Sequence, residues 1–287
     1  MRRTRHLAAI ALATALLAPQ AANADEPARR VVSLNPSLTR ILVALGARDA
    51  LVGVDDFSAK AEPTVASLPR VGGLYTPSLE AVVALQPDLV VFVPSVEQRD
   101  FRTRLEALHV PVLALDPVSF DQVLETIAAL GRRVGRDDAA RVRIAAIRRT
   151  RDAVQRATAG RPPLRAVLVL QREPLFVVGR GSFLDEMLAM VGARNLGAEL
   201  GETWPRASLE WLVAGAPEVL VDSDADPTPA ARFWSRWPSL PAVASGHVVA
   251  LDAGLVTLPG PDLDRALVAL ARALHGDALA LDLEPAP

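Results

Sequence analysis

The sequence predicts an α/β protein of two Rossmann-like lobes, each built on a parallel sheet, joined by a single long α-helix. Three observations predict this. A stretch from the first half recurs in the second: Ser78–Val91, SLEAVVALQPDLVV, and Ser208–Val221, SLEWLVAGAPEVLV, agree at seven of fourteen positions. Two more pairs follow the same order, Leu38–Ala50 (LTRILVALGARDA) with Leu184–Leu196 (LDEMLAMVGARNL), and Val112–Asp116 (VLALD) with Val248–Asp252 (VVALD). Ordered internal similarity of this kind marks two halves of similar build. Between the halves lies Asp137–Ala159, which has no proline or glycine and is dense in alanine and arginine.

The chain opens with Arg2, Arg3 and Arg5, then the apolar run Leu7–Ala18, then Ala22-Asn23-Ala24. A charged start, a short apolar middle and an A-x-A end predict a secretory signal peptide over residues 1–24, cleaved after Ala24. An N-terminal lobe is expected over residues 25–136. Its strand candidates are the short valine-rich runs Val31–Leu34, Leu89–Val93 and Val112–Leu115; those of the second half are Val167–Leu170, Val219–Val221 and Val248–Leu251. Continuous apolar runs suit strands covered on both faces, and the helical patterns between them favour βαβ units. Leu79, Val82 and Val83 fall at i, i+3 and i+4, as do Leu209, Leu212 and Val213, giving each repeated helix one buried face. Pro87 and Pro217 stop those helices.

The middle stretch opens on Asp137 and Asp138, where negative charge suits a helix N-terminus, and closes at Gly160 and Pro162-Pro163. Its length as a helix is about 35 Å. It reads as a linking helix over residues 137–160, with one more crossover helix as the plainer alternative. A C-terminal lobe over 161–287 ends in an amphipathic helix, Pro261–Gly276, with Leu263, Leu267, Leu270 and Leu274 on one face.

Composition removes several function classes. Without the three leader arginines the chain carries 28 basic against 33 acidic residues, about −5, which argues against a nucleic-acid partner needing a basic face. No apolar stretch beyond the leader reaches the roughly 18–20 residues of a membrane span. The chain has no cysteine, so neither a thiol nucleophile nor a lipoprotein anchor is available. These features together predict an exported protein, of the periplasm or secreted beyond the cell, with no lipid anchor and not itself embedded in the membrane; a monomer is expected. Nothing matches a dinucleotide fingerprint or a P-loop. His109, His247 and His275 are far apart in sequence, and the first two precede paired strands, which points to structural roles and away from a resident metal site. Asp222, Asp224 and Asp226 alternate as calcium ligands can, yet lack the loop glycine and closing glutamate of an EF-hand; a solvated loop is expected there.

The residues left to carry function are a pair of glutamates and a few aromatics. Glu80 and Glu210 sit in the first turns of the two repeated helices, one position off the buried face. Each alone reads as a helix-dipole residue; together they form like charges on matched surfaces, suited to a partner with two-fold symmetry. Tyr75 and Trp204 stand five and six residues before them, one aromatic per half.

The order RVVSLNPSLTRILVALGA, VGG…PSLEAVVALQPDLVV, GSFLDEMLAMVGARNL, WPRASLEWLVAGAPEVLV resembles the periplasmic substrate-binding proteins of ABC importers for cobalamin, haem and iron–siderophores, from about Arg29 to His275. The resemblance implies two α/β lobes on a rigid helical backbone, a ligand held between them, and no covalent chemistry or cofactor of the protein's own. It also implies that Glu80 and Glu210 dock onto the ABC importer permease dimer at the inner membrane. Ligands of open parallel sheets meet the loops at the carboxyl ends of strands, here Asn35-Pro36-Ser37, Asp56-Phe57, Pro94-Ser95, Asp116-Pro117 and Gln171-Arg172. The expected ligand-binding residues are Asn35, Phe57, Tyr75, Arg180 and Trp204. WPRASLE most resembles the cobalamin-binding members, so a small-molecule metal chelate of corrinoid type is the expected cargo. A ferric siderophore, with Arg172, Arg180 and Arg206 as candidate cations, or haem, with Tyr75, is the alternative. An exported two-lobed α/β enzyme is the rival from another class.

Overall fold

The structure, a computed structural model, describes residues 26–96, 99–226, 228–276, 279 and 281; the expected signal peptide at residues 1–24 lies outside them. The first lobe runs β1 (Val31–Ser33), α1 (Pro36–Ala44), β2 (Leu51–Val54), α2 (Asp56–Ala61), α3 (Leu79–Ala84), β3 (Leu89–Phe92), α4 (Arg99–Ala107), β4 (Val112–Ala114) and α5 (Phe120–Arg133). Helix α6 (Asp137–Thr158) follows. The second lobe runs β5 (Leu164–Gln171), β6 (Phe176–Val177), α7 (Phe183–Met190), β7 (Ala193–Asn195), α8 (Leu209–Gly215), β8 (Val219–Asp222), α9 (Ala230–Trp234), α10 (Pro241–Ala244), β9 (Val248–Ala250), α11 (Ala253–Val256) and α12 (Leu263–His275).

The repeat seen in sequence becomes a repeat in topology. The first sheet is all parallel in the order β2-β1-β3-β4. In the second, β7, β5, β8 and β9 pair in parallel in the matching order. It departs from the all-parallel expectation in one place: β6 turns back and pairs antiparallel to the end of β5. Three strands carried no usable signal. In β2, Gly53 interrupts the apolar run, and a Cβ there would lie 2.4 Å from Leu85 Cδ1. The sequence of β7 is Ala-Arg-Asn, and β6 is only two residues long. The expectation of strands covered on both faces holds for β1, β3 and β8. It fails for β4 and β9, which end their sheets and are only partly buried.

Each sheet packs helices on both faces. Val32, Val90 and Phe92 meet α3 and α4 through Val82, Phe101 and Leu105, and Val167, Val169 and Leu220 meet Leu212 and Trp234. The opposite faces do not form two separate cores. Val31, Leu89 and Val91 of the first sheet and Leu168, Val219 and Val221 of the second belong to one cluster that also takes in Leu130, Ile147, Val154 and Leu270. Helix α6 presents Ala140, Ile147 and Val154, two turns apart each, to that cluster. A contiguous core through α6 makes the junction a packed interior, which resists shear in a way a flexible linker would not.

Direct bonds reinforce it. Arg143 of α6 donates to the Pro261 carbonyl at 2.6 Å and pairs with Asp264 of α12. Arg40 of α1 donates to the Gly254 carbonyl and to Asp262. Phe183 N–H donates to the Val118 carbonyl, and Phe120 N–H to Glu186, both at 2.7 Å. Among the described residues no helix is long and apolar enough to cross a membrane.

Candidate functional site

The loops after β1, β2, β3 and β4 and those after β5, β6 and β8 all leave the carboxyl ends of their strands, where ligands of such sheets are met. The Val118–Phe183 and Phe120–Glu186 bonds bring the two sets of loops against each other. Of the large apolar side chains that stay exposed among the described residues, Phe57 is in the first turn of α2, Tyr75 on the connection to α3, Val96 after β3, Val118 after β4 and Trp204 on the connection before α8, each between 42% and 72% exposed. Exposed aromatics such as Phe57, Tyr75 and Trp204 are candidates for ligand contact. At the end of β3, Phe92, Pro94, Ser95, Val96, Arg99 and Arg102 line a recess of about 400 Å³.

Phe57 owes its position to a buried polar knot. Asp55, fully buried, caps α2 by accepting from Phe57 N–H at 2.9 Å and Ser58 N–H at 3.0 Å, and the Ser58 hydroxyl also donates to it. Thr39 Oγ1 lies 2.8 Å from Ser33 Oγ and 2.9 Å from Ser58 Oγ. Burial pushes the Asp55 carboxyl above its ordinary value against the opposing pull of these hydrogen bonds. Asp56 N–H then donates to the Gly72 carbonyl at 2.9 Å, which ties the Phe57 turn to the Tyr75 loop. That loop closes through Ser78 N–H to the Val71 carbonyl at 2.7 Å. At Gly72, with φ +107°, a Cβ would sit 2.9 Å from the Thr76 carbonyl oxygen. The structure therefore places Phe57 and Tyr75 on adjoining loops. Asn35 sits nearby, half-buried, with its carboxamide oxygen capping α1 through Ser37 N–H.

In the second lobe, residues 202–207 run antiparallel beside 175–180. Arg180 N–H donates to the Glu202 carbonyl and Gly179 N–H to the Thr203 carbonyl, both at 2.9 Å; Ala207 N–H returns to Leu175. A Cβ on Gly179 would fall 1.9 Å from the Glu202 oxygen, so only glycine allows this approach. Arg180 and Trp204, both exposed, thus stand on neighbouring segments.

Arg172 differs from the solvated arginine that was the alternative to a cleft cation. It is buried, donates from Nε to Asp222 at 3.0 Å and from Nη1 to the Thr228 carbonyl at 2.8 Å, and lies 4.8 Å over the Phe233 ring. Asp222, expected in a solvated loop, is buried as well and accepts from Trp234 Nε1. An ion pair inside the lobe accounts for both, and its only sequence signal was the alternating aspartates. Asp224 and Asp226 continue the turn by accepting from the N–H two residues on. His247 bonds the Ala273 carbonyl and His275 the Val191 carbonyl, both structural contacts. Among the described residues no cluster of His, Asp and Glu could hold a metal ion.

Glu80 and Glu210 lie on the outer surface of the lobes, fully exposed, in the first turns of α3 and α8. Each carboxyl is held below its ordinary value by its own backbone N–H and by the Ser78 or Ser208 hydroxyl, with Arg104 adding a smaller pull at Glu80. Both helices are capped by that same serine, through Ala81 N–H and Trp211 N–H.

A family model described as periplasmic binding protein matches residues 31–255. A cobalamin-binding protein of Halobacterium salinarum is 30% identical over 89% of this chain and 72% of its own length. The crystal structure of the periplasmic vitamin B12 binding protein BtuF of Vibrio cholerae superposes with a TM-score of 0.76 at 25% identity, covering 86% of this chain and 97% of that one. A periplasmic haem-binding protein from Pseudomonas aeruginosa superposes with a TM-score of 0.71 at 28% identity, covering 89% and 96%.

Proposed function

The chain belongs to the periplasmic binding protein family, and from that premise we propose that it captures a corrinoid between its lobes and delivers it to an inner-membrane ABC importer. Its relatives are substrate-binding transport proteins and not enzymes, which sets the enzyme alternative aside. The observation that carries the corrinoid reading is the exposure of large aromatics in both lobes, Phe57 and Tyr75 in the first and Trp204 in the second. A large, flat, mostly apolar macrocycle gains most from rings that bury much area with few rotatable bonds. The WPRASLE motif and the cobalamin-binding relative agree with it. Arg180 and Asn35 supply polar contacts at the rim. The protein acts as an exported periplasmic monomer, with the metal chelate as cargo and no cofactor of its own, and docks through Glu80 and Glu210.

Isothermal titration of the purified protein with cyanocobalamin tests the reading. Saturable one-to-one binding at micromolar affinity or tighter supports it. Absence of heat at high micromolar protein sinks the corrinoid and turns the question to haem. Haem is the second reading because Tyr75, the sole tyrosine, stands exposed at the cleft where a phenol oxygen could reach a metal centre.

A further inference from the structure

We propose that Asp185 and Asn195 are positioning residues of the ligand site: they hold the strip of chain that carries Arg180 and, through it, the segment that carries Trp204. The proposal rests on the ligand contacts given to Arg180 and Trp204 above. Asn195, at the end of β7, is only 8% exposed, and Asp185, on α7, is half-buried.

Arg180 is exposed, yet both of its neighbours are tied down. Gly181 N–H donates to Asp185 Oδ2 at 3.0 Å, and the Gly179 carbonyl accepts from Asn195 Nδ2 at 3.4 Å. The same Asn195 nitrogen donates to Asp185 Oδ1 at 2.9 Å. The two side chains thus form one bridge that spans Arg180. Asn195 Oδ1 accepts from Gly197 N–H at 3.1 Å, so the carboxamide has partners at both ends and only one orientation of it satisfies them. Gly181, at φ +84°, makes the turn beneath the bridge in a conformation that favours glycine.

The other edge of the strip is tied as well. Gly179 N–H and Arg180 N–H reach the Thr203 and Glu202 carbonyls, next to Trp204. A Cβ on Gly197 would lie 2.1 Å from the Val178 carbonyl oxygen, as close a fit as that of Gly179 against Glu202. Backbone packed this tightly on both sides cannot shift alone, so a change at the bridge passes to residues 202–204. Hydrogen bonds to a carboxylate are stronger than neutral ones. A contact residue whose support is locked in this way is held within the narrow tolerance that binding requires.

The test is a reciprocal exchange. Asp185→Asn puts a donor where an acceptor stood and forfeits one bond of the bridge, and Asn195→Asp sets two carboxylates together. The two changes combined return a donor opposite an acceptor. Titration with cyanocobalamin should show each single variant at least tenfold weaker than wild type and the combined variant recovering most of that loss. Leu274→Ala, a change in the core at α12, is the control; it should lower Tm and leave the Kd within twofold. Wild-type affinity in both single variants, a combined variant no tighter than either, or an equal loss in Leu274→Ala overturns the proposal. Hydrogen exchange supplies an arm without ligand. In Asp185→Asn the Gly179 and Arg180 amides should exchange at least tenfold faster, with no such rise at Leu220 and Val221 of β8. Unchanged exchange at Gly179 and Arg180 also overturns the proposal. If wild type does not bind cyanocobalamin, the corrinoid reading alone falls, and exchange decides whether the pair holds the strip.

Discussion

Arg40 of α1 reaches across the molecule to Asp262, just before α12, and closes an ion pair of 2.5 Å between the two lobes. Its other guanidinium nitrogen holds the Gly254 carbonyl. The pair is largely shielded, with side chains 20% and 23% exposed, so it is worth more than a surface pair yet is still screened. Arg40→Ala should cost about 1–2 kcal/mol, which for a chain of this size lowers Tm by roughly 2–4 °C per kcal/mol. Because α6, the shared core and this pair all restrain the same junction, crystals with and without ligand should show only a small change in lobe angle. A large hinge rotation would refute that restraint.

The Asp55 knot predicts a pH dependence. Burial raises the Asp55 pKa above 3.8, so the folded protein binds this proton more tightly than the unfolded chain does. The stability it contributes is present below 3.8 and is lost as pH rises through the raised value. Asp55→Asn keeps the capping oxygen and does not titrate. The Tm of wild type should therefore fall relative to that variant as pH is raised from the acid side towards neutrality. A wild type that gains on Asp55→Asn over that range would show that the capping hydrogen bonds outweigh burial.

How far the sequence foretold this protein depends on whether a feature is local. The Ser-Leu-Glu repeat and the valine runs locate α3, α8, β3 and β8, because each is a periodic pattern in adjacent residues. The long α6 is legible for the same reason. β7 is not, because Ala193, Arg194 and Asn195 become a strand only by pairing with Leu164–Ala166. Tyr75 and Trp204, exposed in the structure, were legible as aromatics standing before capped helices. The Ser33, Thr39, Asp55 and Ser58 knot joins residues from three elements, so no local pattern announced it. The pairing of Arg172 with Asp222 spans fifty residues and could be seen only once β5 and β8 were neighbours.

The rim aromatics should matter for affinity and not for folding. Trp204 is 45% exposed, and substitutions at such positions usually change stability by no more than about 0.5 kcal/mol. Trp204→Ala should weaken cyanocobalamin binding tenfold or more, about 1.4 kcal/mol, with Tm unchanged. Phe57→Ala and Tyr75→Ala, in the other lobe, should act in the same direction. Titration calorimetry on the three variants decides it, and affinity unchanged in all three would move the ligand away from these rings.

Glu80→Ala combined with Glu210→Ala should abolish uptake while leaving ligand affinity nearly unchanged, since both carboxylates lie on the outer surface. Both groups are held below 4.5, so the charged form that the proposed docking calls for persists above that value and is lost as pH falls beneath it. Binding of the protein to its importer should be flat from neutral pH to about 5. Unaltered transport by the double variant would return both residues to helix capping.

Arg172 offers a separation of structure from ligand contact, because the two roles predict opposite patterns. Its side chain is 5% exposed and that of Asp222 1%, so Arg172→Ala would leave a buried carboxylate without its counter-charge. Loss of one partner in such a pair costs about 3–5 kcal/mol. Arg172→Lys restores the charge but not the planar set of donors that reaches Asp222 and Thr228 together, and should recover only part of it. Chemical denaturation should show both losses, graded in that order. If Arg172 instead held an anionic ligand group, Arg172→Ala would lose affinity at nearly unchanged stability, and the cation assigned here to the interior of the lobe would belong to the cleft.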